Sequence, residues 1–179
     1  RNIPSAHFFD GFAFERLHCI EAGTFDRVRE KSLAEVVPSS TKLGACDMHP
    51  RSVEGMRGNF AAQGIGDDIH AWEDMAEALD GVEDGEYHTI VTNPPYGIRI
   101  GIPRAVRRLY AAFPQAAMDK GVREIVVTTP RRENICQAMT DAGYEVTEQR
   151  HFLYGGLWSW IVRAVAPDAP GAPETDAAE

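Results

Sequence analysis

The sequence predicts an α/β domain, a mostly parallel sheet with helices on both faces, closed by an antiparallel hairpin. Between Lys42 and Val165, short apolar runs alternate with amphipathic stretches at helical spacing. The last two apolar runs, Tyr144 to Leu153 and Trp158 to Val165, flank Gly155-Gly156 with no helical stretch between them, which reads as a hairpin. The 179 residues, 44% hydrophobic and 25% charged, are enough for one domain with a real core.

The elements follow in order. Lys42 to Cys46 reads as a short buried strand. Pro50 to Gln63 carries Val53, Met56 and Phe60 at helical spacing, with Pro50 in the first turn and Gly64 as C-cap. Asp68 to Trp72 is a weaker strand, Glu73 to Leu79 a short helix, and Gly81 to Gly85 an acidic loop. Tyr87 to Thr92 is a strand that Pro94-Pro95 must end, because proline has no N–H for a central ladder. Arg104 to Lys120 puts Val106, Leu109, Tyr110, Phe113 and Ala117 on one helical face, with Pro114 as a kink or break. Glu124 to Thr128 is a strand, and Arg132 to Ala142 a helix with Ile135 and Met139 inward. Ala166 to Glu179 is mostly Pro, Ala, Asp and Glu, a disordered acidic tail after a domain spanning residues 1–165.

Composition narrows the function classes. Asp plus Glu number 27 against 18 Lys plus Arg, a net charge of −9, so the chain does not wrap phosphate backbone by bulk charge. No apolar run approaches the roughly 20 residues of a membrane helix. Arg1 to Phe14 lack the apolar stretch of a signal peptide. The three cysteines, Cys19, Cys46 and Cys136, are too far apart for a C-x-x-C site and point to a reducing cytoplasm. The six histidines show no paired ligand spacing, and no metal is expected.

In open α/β sheets, ligands sit at the carboxyl ends of strands. The residues to inspect are those after Cys46, Trp72, Thr92 and Thr128. After Thr92 comes Asn93-Pro94-Pro95-Tyr96. An exocyclic amine on a planar ring is a poor nucleophile, because its lone pair is conjugated. An Asn amide oxygen and a proline carbonyl can accept both amine hydrogens and favour a pyramidal, attacking nitrogen. Two prolines stiffen such a loop, and Tyr96 offers a flat face for an extruded base. The matching donor is a methyl sulfonium. After the first strand, Asp47 and Met48 are candidate cofactor residues. Asp47 can accept both ribose hydroxyls of an adenosine, or can simply cap the helix near Pro50. Asp74, after the second strand, can accept an adenine amine or open a short helix. Arg99, Arg104, Arg107 and Arg108 could hold phosphates at the rim or form a solvated helix face. Phe8, Phe9, Phe12 and Phe14 suit a core better than base stacking.

Gly44-x-x-Asp47-x-x-Pro50, Asn59, Gly64 and Thr92-Asn-Pro-Pro-Tyr-Gly97, with the opening Asn2-Ile3-Pro4, resemble the THUMP-associated RNA methylase family. The likeness runs from about Arg1 to Val165. It implies a Rossmann-like class I methyltransferase sheet, S-adenosylmethionine as cofactor and guanine N2 of tRNA or rRNA as target. An upstream RNA-binding domain would recruit the RNA. The implied cofactor role falls on Asp47, Met48, Asp74 and Asn93, and the catalytic role on Asn93, Pro94, Pro95 and Tyr96. Asn-Pro-Pro-Tyr is shared with adenine-N6 and protein-glutamine methyltransferases, so those substrates stay open. A non-catalytic homologue that binds RNA or a partner subunit is the reading from a different class.

One departure shapes the expectation of fold. The family's first strand and its glycine loop find no counterpart in Gly64–Gly66, Gly81–Gly85 or Gly155-Gly156, none of which follows a strand and opens a helix. In the family the loop precedes the Asn2-Ile3-Pro4 region. The chain should then lack the first, central strand, leaving two unpaired inner sheet edges to be completed by an upstream segment or another chain.

Overall fold

The structure is a computed structural model that describes residues 17, 19, 21, 23–36, 41–97 and 103–167. Among the described residues, six strands and four α-helices follow in the order α1 (Thr24–Ala34), β1 (Leu43–Asp47), α2 (Pro50–Ala62), β2 (Ile69–Glu73), β3 (Thr89–Thr92), α3 (Pro103–Asp119), β4 (Glu124–Thr129), α4 (Arg132–Asp141), β5 (Glu145–Tyr154) and β6 (Leu157–Val165). A 3-10 turn, Gly66–Asp68, leads into β2. No helix among the described residues is long and apolar enough to cross a membrane.

The strands form two sheets. One holds β1 and β2; the other has the order β3-β4-β6-β5. β3 and β4 run parallel in the register Thr89↔Glu124 to Thr92↔Val127. β6 is antiparallel to both β4 and β5, so the C-terminal hairpin is inserted with its second strand innermost. Each of β1 and β3 has one edge without a strand partner among the described residues.

The chain separates into two compact units. The first comprises residues 1–43 and 57–70, and its described part includes α1, which buries no residue. The second comprises residues 44–56 and 71–179 and holds the four-stranded sheet. Its core joins Val106, Tyr110, Phe113 and Ala117 of α3 to Ile125 and Val127 of β4, Ile135 and Met139 of α4, and Val162 and Ala164 of β6. These are the helix faces that the 3.6-residue period marks, meeting the alternate residues of the strands.

Three expectations change. Glu73 ends β2, and Asp74 to Leu79 forms turns and irregular backbone, not a helix. The Asp74 carboxylate accepts the N–H groups of Met75 and Gly81, at 2.8 and 2.9 Å, and Leu79 takes a left-handed φ of 53°, so local side-chain bonding outcompetes the helix ladder. Pro114 does not end α3, which continues to Asp119 with Pro114 fully buried on the core side. Packing of the buried face sustains the turn whose hydrogen bond proline removes. Ala166 does not belong to the tail: it is buried, and its N–H donates to the Arg123 carbonyl at 2.8 Å. The rest of the tail from residue 168, the Phe8, Phe9, Phe12 and Phe14 cluster, the Asn2-Ile3-Pro4 opening, and Arg99 lie outside the described residues.

Ile125, fully buried in β4, should be a stability determinant, whereas Val28, on the exposed side of α1, should not. In urea unfolding, Ile125→Ala is expected to cost about 2–5 kcal/mol and Val28→Ala to stay within about 0.5 kcal/mol. Equal effects would contradict the placement of the core.

Candidate functional site

Two groups of residues stand at strand ends. The first lies after β1 and β2. Asp47 ends β1, and its carbonyl accepts the Asp74 N–H at 3.2 Å, which joins the two strand ends. Asp47 Oδ1 accepts the His49 N–H at 2.8 Å. This is the turn by which an Asp fixes the chain two residues on, just before α2 begins at Pro50. Oδ2 of Asp47 has no hydrogen-bond partner among the described residues. Asp47 therefore shapes the turn with one oxygen and leaves the other without a partner among the described residues. Met48 beside it is exposed.

Asp74 is more heavily committed. Oδ1 takes the Met75 N–H, while Oδ2 takes the Gly81 N–H and the Trp72 indole N–H at 3.1 Å. A carboxylate offers about four lone-pair sites, so roughly one remains, on Oδ1. Trp72 in turn stacks on Tyr87, with ring centroids 5.9 Å apart and planes 14° apart. Gly44 and Gly81 make room for this stack: a Cβ at Gly44 would lie 2.7 Å from the Tyr87 ring, and one at Gly81 2.6 Å from Trp72 Nε1. The absence of a side chain at Gly44 thus has a packing reason. Cys46 has a solvent-facing side, yet its thiol is pushed above its ordinary pKa, by desolvation first and then by the charges of Asp74 and Asp47.

The second group follows β3. Asn93 is exposed, and Tyr96 reaches back to it, its hydroxyl donating to Asn93 Oδ1 at 2.5 Å. The left-handed Gly97, φ 71°, turns the chain directly afterwards. The Pro94 carbonyl accepts no hydrogen bond among the described residues. The loop is fixed from β4. Arg131 Nε donates to the Tyr96 carbonyl at 2.8 Å, and the Arg131 N–H donates to Thr129 Oγ1 at 2.9 Å. Thr129 Oγ1 also shares a hydrogen bond of 2.8 Å with the buried Tyr110 hydroxyl of α3. Desolvation raises the Tyr110 phenol, and its bond to Thr129 partly opposes that shift. Among the described residues, no hydrogen bond links the Asp47–Asp74 group to this loop.

Tyr110, Thr129 and Arg131 are the positioning residues that sequence reasoning did not single out. The switch-point rule directs attention past Thr128, but a Thr and an Arg there carry no motif. Of the four rim arginines, Arg104, Arg107 and Arg108 are exposed in the first part of α3, and Arg108 lies 3.9 Å from Glu77. Arg104 and Arg107 make no ion pair among the described residues.

Thr129→Val should leave the Arg131 N–H without its acceptor and the Tyr110 hydroxyl without its partner. The expected loss in urea unfolding is about 1–3 kcal/mol; a neutral substitution would show that the chain of bonds does not hold the loop. At Cys46, a raised pKa means less thiolate at a given pH. Alkylation by iodoacetamide, followed by peptide mass spectrometry, should have its midpoint above the ordinary thiol value. Asp47→Asn, which removes one raising charge, should speed the reaction at pH 8. A midpoint below the ordinary value would contradict the geometry around Cys46.

Known proteins agree with this architecture. Residues 4–159 match the UPF0020 family model, described as RMKL-like, methyltransferase domain. A tRNA (guanine(6)-N2)-methyltransferase of Archaeoglobus fulgidus is 33% identical over 124 residues, covering 68% of this chain and 30% of the relative. The enzyme of the same name from Methanocaldococcus jannaschii is 27% identical over 166 residues, covering 90% of this chain and 42% of the relative. The chain thus spans less than half the length of either. Among solved structures, a methyltransferase complexed with SAH, SMU.472, superposes with a TM-score of 0.68 at 20% identity, over 94% of this chain and 43% of that one. TrmN from Thermus thermophilus superposes with a TM-score of 0.62 at 18% identity, over 77% and 40%. These two show the fold. With the family model matched over most of its length, the chain belongs to the RMKL-like methyltransferase domain family.

Proposed function

We propose that this chain is part of an S-adenosylmethionine-dependent tRNA methyltransferase acting on guanine N2, and that it carries the target-amine loop. The observation that carries the reading is the Asn93–Tyr96 loop, held at the end of β3 by Arg131 with Asn93 exposed. Family membership and the names of the two archaeal relatives support an RNA guanine over an adenine or a protein glutamine.

The residues present suit an adenosine-bearing cofactor. Asp47 Oδ2 is free to accept from a ribose, Asp74 Oδ1 retains a site for an adenine amine, and Met48 adds exposed apolar surface at the same strand end. S-adenosylmethionine, when bound, would supply a sulfonium methyl group for in-line displacement by nitrogen. The protein's part is positioning. Asn93 Oδ1 has two lone pairs: Tyr96 takes one and the target amine takes the other. The Pro94 carbonyl accepts the second amine hydrogen, so the nitrogen lone pair is turned out of conjugation. Arg131 keeps the loop from yielding when the base enters. Arg104 and Arg107 are available to RNA phosphates, and recruitment by an upstream RNA-binding domain completes the proposal.

The test is labelled methyl transfer into bulk tRNA by the complete protein. Asn93→Ala should lower turnover about 100-fold or more with cofactor affinity nearly unchanged, because the amide acts mainly on the way to the transition state. Tyr96→Ala should weaken RNA binding through lost stacking, about 1–3 kcal/mol. Tyr96→Phe should keep much of the activity, since it frees Asn93 Oδ1 and retains the ring. Near-normal turnover in Asn93→Ala would reduce the motif to a strand terminator.

A further inference from the structure

The hairpin of β5 and β6 carries a row of rings that the methyl-transfer site does not use. His151 and Trp160 face each other across the strands, ring centroids 5.3 Å apart, and His151 also meets Trp158 diagonally at 5.7 Å. The Arg132 guanidinium lies over the Trp160 ring, 4.8 Å from its centroid. The order is therefore Trp158, His151, Trp160, Arg132, on one sheet face, because residues two apart on a strand share a face.

The gradient of burial along this row is informative. Trp160 packs against the core, whereas Trp158 is 60% exposed, and Leu153 opposite it is also exposed. The last residue of β4, Thr129, pairs with Trp160. Trp158 therefore projects beyond the carboxyl end of β4, at the edge where Arg131 grips the Tyr96 carbonyl. Arg131 and Arg132 are adjacent: one holds the candidate catalytic loop and the other caps the row of rings. Arg132 also reaches the Gln149 amide oxygen at 3.4 Å and Glu133 at 3.7 Å. It borders a cavity of about 320 Å³ lined also by Cys136, Gln137 and Thr140.

We propose that Trp158, His151, Trp160 and Arg132 form a stacking platform for an unpaired base of the substrate RNA next to the target nucleotide. The proposal rests on the RNA-methylation reading above. A base extruded into the Asn93–Tyr96 loop leaves its neighbours unstacked, and an aromatic face compensates for that loss without reading sequence. A guanidinium at the end of the row suits a nucleic acid, because it adds a cation for phosphate and a planar group that itself stacks on rings. The open cavity beside Arg132, with Gln137, Thr140 and Gln149 on its walls, offers hydrogen bonds to a ribose or base edge.

The complete protein, with unmodified transcribed tRNA and labelled S-adenosylmethionine, tests the platform. Trp158→Ala should raise KM for tRNA about 5- to 150-fold, with kcat and cofactor affinity within about 3-fold of the wild type. Trp158→Phe should recover most of the loss. Indole fluorescence of the wild type should be quenched on adding tRNA, and the quench should shrink in Trp158→Ala. Wild-type methyl transfer with an unchanged KM in Trp158→Ala overturns the platform and leaves the methyltransferase reading intact. No transfer into tRNA by the wild type overturns that reading, and the platform with it. A Trp158 already shielded from acrylamide quenching before tRNA is added would mean that protein covers this face, which also overturns the proposal.

Discussion

The hydrogen bond between the buried hydroxyls of Tyr110 and Thr129 is the constraint on which the site depends. Neither group can be left unpaired at this depth without a cost of about 1–3 kcal/mol. Their pairing fixes α3 against the carboxyl end of β4. Thr129 Oγ1 then has capacity for the Arg131 N–H, which fixes where the Arg131 side chain starts, and Arg131 holds the Tyr96 carbonyl. A loop rich in proline is stiff but not thereby positioned. Its position comes from this chain of bonds, which runs from the core to the surface through four residues.

The two sheets give a second constraint. β1 with β2, and β3 with β4, β6 and β5, each present a strand edge with no partner among the described residues. Backbone groups along such edges want partners. The exposed Val91 on β3 belongs to the same picture, since an apolar residue in a parallel strand is ordinarily covered. The Trp72–Tyr87 stack, accommodated by Gly44 and Gly81, joins the end of β2 to the residues that lead into β3.

The sequence made most of this legible where physics is local or periodic. The alternation of strand and helix, the inward faces of α3 and α4, and the hairpin at Gly155-Gly156 follow from hydrophobic spacing and turn chemistry, and the structure has them. The Asn93–Tyr96 loop was visible because two prolines must end a strand. The helix that the sequence suggests for Glu73 to Leu79 does not form, because Asp74 commits its carboxylate to Met75 and Gly81, a closure spanning seven residues that no propensity reveals. Thr129 and Arg131 were hidden for a similar reason. Their meaning lies in partners 19 and 35 positions away, and only the tertiary fold supplies those. The ring row of Trp158, His151 and Trp160 was likewise invisible, because it depends on the register of β5 against β6.

The central claim is that this loop presents a guanine amine for methylation. Nucleoside analysis by mass spectrometry of tRNA, treated with the complete protein and labelled cofactor, tests it most directly. The account predicts label in N2-methylguanosine. Label in N6-methyladenosine, or in a protein glutamine with none in RNA, would contradict it.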